Sequence, residues 1–124
     1  MKYYISIIIL AIFLFSCNGH SKHWETLSQV ESYIEEKPDS ALVTLERIDL
    51  SELSGKEEKA KHALLYSMAL DKNFVDKTDF EVLQPAIDYY EDNGSATDKL
   101  RTYYYQGRIY QNAGNDAFAM ESFV

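Results

Sequence analysis

The chain has 124 residues, with 12 Lys and Arg against 20 Asp and Glu, so its formal net charge is −8. This length is enough for one domain with a modest core. An acidic chain without a basic stripe is a poor ligand for phosphate backbones, which excludes nucleic acid as an expected partner.

The first residues have the pattern of an export signal. Lys2 precedes an apolar run at 5–15 that only Ser6 interrupts. A transmembrane helix needs about 20 apolar residues, so this run is too short to span a bilayer but has the length of a signal-peptide core. We therefore predict a signal peptide over 1–16.

The residues Leu14-Phe15-Ser16-Cys17 resemble the lipobox of bacterial lipoproteins. The resemblance implies cleavage before Cys17 and lipidation of that residue, which would anchor the chain to the cell envelope. Because Asn18 rather than Asp follows the cysteine, the resemblance favours the outer membrane, and the lack of an acidic run after Cys17 favours a position facing the periplasm. Cys17 is the only cysteine. The alternatives are a plain signal peptide followed by a spare thiol, or an uncleaved anchor. Residues 17–22 are small and polar and are expected to form a tether.

Hydrophobic periodicity predicts helices over 23–36, 41–48, 56–72 and 79–92. Asp39 or Ser40 would cap the second helix. Pro85 lies inside the fourth, which therefore either starts nearer Glu81 or kinks at the proline.

A third pair of helices is expected after Gly94. Ser95 or Thr97, with Asp98, would cap a helix over 97–112, and Asn115 would cap the last one. The sequence thus predicts an all-α fold of six helices in three antiparallel pairs, with no strand.

The last 25 residues follow the spacing of the tetratricopeptide pattern W-x2-L-G-x2-Y…A-x3-F, with Tyr and Gln in the Trp and Leu slots. The matching residues are Tyr103, Gln106, Gly107, Tyr110, Gly114, Ala119 and Phe123. The resemblance implies a short solenoid of stacked helical hairpins over 23–124, with these residues, apart from Gln106, packing the repeat. Gly107 in mid-helix predicts the close approach of another backbone, and Gly114 a left-handed helix end. An ordinary helical hairpin with an aromatic stripe is the alternative.

A binding strip is expected on the fifth helix. Tyr104, Arg108 and Gln111 are spaced by four and three, so they share one side of that helix. Packing of Tyr104 between helices is an equal alternative. Arg101 and Arg108 are expected to pair with Asp98 and other nearby acids.

Catalysis is not expected. His20, His23 and His62 have no Cys/His cluster around them, and the chain contains no phosphate loop or nucleophile elbow. We therefore expect neither an enzyme, nor a cofactor, nor a metal site.

The sequence favours a non-catalytic, envelope-anchored scaffold that binds a protein or peptide. The segments PDSAL at 38–42 and YYYQGRIYQNAG at 103–114 resemble the tetratricopeptide arrays of bacterial envelope proteins, some of which continue into a DNA-binding end. The alternative is therefore the N-terminal sensory part of a longer transcriptional regulator, truncated at its C-terminus. An uncapped last helix would then allow self-association.

Overall fold

A computed structural model of the chain describes residues 19–123, and this range contains six α-helices and no strand. The helices are α1 (His23–Tyr33), α2 (Pro38–Glu46), α3 (Gly55–Lys72), α4 (Gln84–Tyr90), α5 (Ala96–Asn112) and α6 (Asp116–Phe123), with a 3-10 turn at Leu50–Glu52. The predicted all-α class is confirmed. The predicted signal peptide, Cys17 and the first tether residues lie outside the described range.

Helix α3 is the centre of the described fold, because it contacts α1, α2, α4 and α5. The small residues Ala60, Ala63 and Ala69 are buried along it, which allows neighbouring helices to approach closely. Leu65 and Met68 are also buried, and they fill the space between α3 and its neighbouring helices. The periodicity correctly identified α3 as a helix with an apolar stripe.

The start of α2 differs from the prediction. This helix begins at Pro38, three residues before the expected start at Ala41. Lys37 occupies the N-cap position without a side-chain bond, so the caps predicted at Asp39 and Ser40 are wrong. The proline explains the difference, since its fixed φ suits the first helical turn and its missing N–H has no partner there.

Helix α4 is shorter than the predicted 79–92. It begins at Gln84, and Pro85 lies in its first turn, where it disrupts no hydrogen bond. The late start, rather than a kink, is therefore the correct alternative.

The predicted signals at the start and end of α5 and at the start of α6 are confirmed. Ser95 Oγ accepts a hydrogen bond from Asp98 N at 3.2 Å, and Asp98 Oδ2 accepts one from Ser95 N at 3.3 Å. Gly114 has a φ of +78°. Asn115 Oδ1 accepts a long hydrogen bond of 3.4 Å from Phe118 N at the start of α6.

Helices α1, α3 and α5 run in the same direction. Three polar contacts that join them, or the residues at their ends, each link positions 37 apart: Ser21 with Glu58, Glu35 with Lys72, and Asp71 with Arg108. Glu31 contacts both Lys61 and Arg101, which places these two side chains at one level. The first helix of each expected pair is therefore displaced by a nearly constant number of residues from the next.

Residues 20–22, predicted to be tether, contact the helical domain. Ser21 N donates to Glu58 Oε2 at 2.8 Å, and Lys22 Nζ lies 2.7 Å from Glu52 Oε2. The ring of His20 stacks on a helical side chain as well. The packed domain thus begins before the predicted boundary at residue 23.

Candidate functional site

An open groove of about 650 Å³ lies between α5 and α6 and extends to the turn after α1 and the C-terminal part of α3. We call it the tyrosine groove. Its lining residues are Glu35, Met68, Leu100, Arg101, Tyr103, Tyr104, Tyr105, Glu121, Ser122 and Phe123. This volume is within the range of ligand pockets, and the lining is mainly apolar.

Three consecutive tyrosines of α5 divide between core and groove. Successive helical residues point about 100° apart, so one of the three turns inward. Tyr105 is buried, whereas Tyr103 and Tyr104 are each 48% exposed. The ring of Tyr104 meets Tyr105 edge-on at 5.0 Å and lies 5.6 Å from the ring of Phe123. The groove wall is therefore an aromatic cluster in which the buried Tyr105 supports the ring of Tyr104.

Burial raises the pKa of the Tyr105 phenol, and the negative charge of Asp71 acts in the same direction. Tyr105 is consequently a neutral hydroxyl throughout the physiological pH range.

The predicted binding strip is divided by the fold. Tyr104 lines the groove, but Arg108 turns towards α3, where its Nη2 lies 3.1 Å and its Nε 3.2 Å from Asp71 Oδ1. Arg108 Nη1 donates to Gln111 Oε1 at 2.7 Å. The hydrogen bond with Asp71 raises the pKa of Arg108, and the negative charge of Asp71 raises it further. Arg108 thus connects α5 to α3, Gln111 accepts its bond within α5, and neither residue lines the tyrosine groove.

Arg101 lies at the groove margin in an ionic cluster. Its Nη1 is 3.1 Å from Glu31 Oε2, and Lys61 Nζ is 3.3 Å from the other oxygen of Glu31. The expected partner Asp98 is instead used in the helix cap. A guanidinium carries five N–H donors, so Arg101, which lines the groove, has donors beyond the one that contacts Glu31.

Gly107 is placed where a side chain would collide. A Cβ at this position would overlap the ring of Phe123, so an aromatic ring from α6, rather than the expected second backbone, makes the close approach. Ala119 is buried on the facing side of α6.

The other predicted packing residues have mixed environments. Tyr110 lies between the rings of Phe80, at 5.0 Å, and Phe118, at 5.4 Å. Tyr103, expected in the tryptophan slot, is half exposed.

A second groove, of about 630 Å³, was not predicted. We call it the histidine groove; it lies between α2, the 3-10 turn, α3 and the start of α4. His62 lines it and is buried, with Nε2 3.1 Å from the carbonyl oxygen of Leu45 and its ring stacked on Tyr66 at 5.6 Å. The helical spacing of Lys59, His62 and Tyr66 was the available signal, but it does not reveal the gap between α2 and α4.

Within residues 19–123, no group of three or more His, Cys, Asp or Glu side chains has the arrangement of a metal site. In the same range, none of the helices combines the length and apolar content that crossing a bilayer requires.

The fold and the tyrosine groove define an all-α helical protein with a preformed aromatic cleft. Comparisons with protein families, with curated proteins and with solved structures found no match to this chain.

Proposed function

We propose that this protein is a non-catalytic helical-repeat scaffold that binds a protein or peptide segment in the tyrosine groove. The observation that carries the proposal is the half-exposed Tyr104, held between the buried Tyr105 and Phe123 at the groove wall. Large, rigid aromatic side chains that remain accessible are typical anchors of protein interfaces.

The groove also has the polar groups that would orient such a segment. Arg101 and Glu35 line it together with Leu100 and Met68, so an apolar side chain and a charged group can be accommodated side by side. A segment with apolar residues and a carboxylate placed towards Arg101 fits this chemistry.

The displacement of 37 residues, which occurs twice between the α1 and α3 regions and once between α3 and α5, supports a repeat architecture. It is close to the 34-residue period of tetratricopeptide repeats. Stacked repeats of this kind commonly present their first helices to a ligand.

Photocrosslinking tests the groove directly. A benzophenone side chain at position 104 is expected to form an adduct with a partner in cells. The matched control carries the same group at Val43, which is exposed on α2 outside the tyrosine groove. Equal adduct formation at both positions, or none at 104, would exclude the groove as the binding site.

We propose further that Cys17 is lipidated and holds the protein at the bacterial envelope, at the outer membrane and facing the periplasm. The lipobox-like residues 14–17 support this, as does the position of the packed domain only a few residues later. The intact mass of the purified chain should equal that of a protein cleaved before Cys17 and acylated. Cys17→Ser should keep the uncleaved mass, and an unmodified Cys17 in the wild type would refute the anchor.

A further inference from the structure

The chain enters the helical domain at a buried carboxylate. Glu58, in the first turn of α3, has no exposed surface. It accepts hydrogen bonds from Ser21 N at 2.8 Å, from Ser21 Oγ, and from Ser54 N at 3.3 Å. We call Ser21, Ser54 and Glu58 the N-terminal clasp.

Glu58 is ionised in this setting. Burial acts to raise the pKa of its carboxyl group, but the hydrogen bonds from Ser21 and Ser54 outweigh burial and hold the pKa below its ordinary value. A buried carboxylate requires such donors, so releasing Ser21 would leave a charge without its main partner. The clasp is therefore a strong local connection.

Contacts on either side of Ser21 reinforce the clasp. The ring of His20 stacks on Trp24, with centroids 3.6 Å apart, and Lys61 Nζ lies 4.7 Å from the centre of the same indole. Lys22 pairs with Glu52 in the 3-10 turn. Residues 20–22 are thus fastened to the start of α1, to the 3-10 turn and to α3.

The clasp limits the distance to the proposed anchor. Ser21 is four residues after Cys17, and an extended chain spans at most about 3.6 Å per residue, so the two positions are no more than roughly 14 Å apart in any conformation. From Glu58 to Lys72, in contrast, α3 rises by roughly 21 Å.

We propose that the clasp keeps the connection between Cys17 and Ser21 short, so that one end of the domain faces the membrane surface. We call this connection the leash. The membrane-facing end comprises the starts of α1 and α3 and the 3-10 turn. The loop after α3 lies at the opposite end. The tyrosine groove extends from Arg101, at the level of Lys61, to Met68, about 15 Å beyond Glu58 along α3, so its far part remains clear of the lipid for a soluble partner. This inference rests on the proposed lipidation of Cys17.

Fluorescence quenching in vesicles tests the orientation. The full-length gene is expressed with Lys56→Cys or Lys77→Cys, and the lipidated protein is purified from membranes and labelled with a dye. Both lysines are exposed and both changes remove one positive charge; Lys56 lies at the start of α3, and Lys77 follows its end. With nitroxide lipid headgroups as quenchers, the dye at 56 is expected to lose a larger fraction of its emission than the dye at 77.

Two further variants separate the clasp from the anchor. Glu58→Ala releases Ser21 and should abolish the difference between the two dyes. Because this variant could also unfold the domain, the second carries an insertion of about ten Gly and Ser residues between Asn18 and Gly19. It adds roughly 17 Å of reach while leaving the clasp intact, and should reduce quenching at 56 towards that at 77.

The protein's mass is measured in each sample, so the possible failures are distinguishable. If Cys17 is acylated but the dyes at 56 and 77 are quenched equally, the oriented leash is refuted and the proposed anchor stands. The same conclusion follows if the insertion leaves the difference unchanged. An unacylated Cys17 would refute the anchor and the leash together.

Discussion

Phe74 and Gly114 occupy the same position in two equivalent helix ends. After α3, Phe74 N donates to Asp71 O and Val75 N to Leu70 O. After α5, Gly114 N donates to Gln111 O and Asn115 N to Tyr110 O. Both sets of bonds define a Schellman turn, whose C′ residue has a positive φ.

The two C′ residues differ in strain. Phe74 has a φ of 63° although it carries a side chain, and that side chain is 90% exposed. Gly114 has a φ of 78° without this steric cost. The α3 end therefore contains backbone strain that no packing of the phenyl ring offsets.

Phe74→Gly is consequently expected to raise the free energy of unfolding by about 1 kcal/mol, since it relieves the left-handed backbone and removes little packing. Gly114→Ala is the matched opposite: nothing lies within 4 Å of an added Cβ, so its expected cost of about 1 kcal/mol comes from the backbone alone. Urea denaturation measures both changes. Destabilisation by Phe74→Gly would show that the exposed ring has a stabilising contact.

His62 is the buried histidine of the histidine groove. Burial lowers its pKa; the hydrogen bond with the Leu45 carbonyl acts in the opposite direction, and the charge of His23 lowers the pKa further. The folded protein thus prefers the neutral imidazole.

The stability should therefore fall in mild acid. An unfolded His62 titrates near pH 6.5, while the folded one titrates lower, so between these values the unfolded chain binds more protons. The stabilisation that comes from the neutral, buried His62 is fully present above about pH 6.5, and it is lost as the pH falls through the folded pKa of His62. Urea denaturation between pH 7.5 and 5 should show a decline that is smaller in His62→Gln. An equal decline in both proteins would assign it to other groups.

At the element scale, the N-caps of α5 and α3 offer a direct comparison. Ser95 forms a reciprocal capping box with Asp98, whereas Ser54 precedes α3 without a side-chain capping bond.

Ser95→Ala should therefore lower the free energy of unfolding by about 1 kcal/mol, the typical value of an N-cap. Ser54→Ala should cost clearly less, because the backbone N–H of residue 54, which donates to Glu58, is retained. Thermal melts of the two variants distinguish the effects. A larger loss for Ser54→Ala would contradict the assignment of the caps.

The helices themselves were predictable because their determinants are local. Ser95 with Asp98, the turn at Gly114 and the apolar period of α3 all act within a few residues. The start of α2 was misplaced because Asp39 and Ser40 resemble caps, while Pro38 is equally suited to the first turn.

The site was less predictable because its contacts are distant in sequence. Spacing placed Tyr104 and Arg108 on one side of α5, but it could not show that Arg108 turns to Asp71, 37 residues away. The burial of Glu58 depends on Ser21, which is equally far from it. Such partners follow from the packing of α1, α3 and α5 and are absent from any local pattern.

At the scale of the whole molecule, exposed apolar side chains concentrate on the third helical pair. On α6, Met120 is 68% exposed, and Phe118 and Phe123 are about half exposed. On α5, Leu100, Tyr103 and Tyr104 are exposed as well, and they line the tyrosine groove together with Phe123. Exposed apolar groups of this density characterise interaction surfaces rather than solvated faces.

We therefore expect the protein to self-associate through α6 when no other partner is present, because pairing two copies removes apolar surface from water. In sedimentation equilibrium the average mass of the wild type should rise with protein concentration. Met120→Glu introduces a charge into this surface and should hold the mass at that of one chain. Val43→Glu, which places the same charge on α2 at an exposed valine outside this surface, should behave as the wild type.

These two variants separate a specific contact from general solubility, because each adds one negative charge to a chain whose net charge is already −8. Equal suppression by both would mean that charge repulsion alone controls association. A wild type that remains monomeric at every concentration would refute self-association through α6. Self-association through α6 would also cover the adjoining tyrosine groove, so a partner segment that occupies the groove should lower the average mass. Dissociation and partner binding would then report on the same surface.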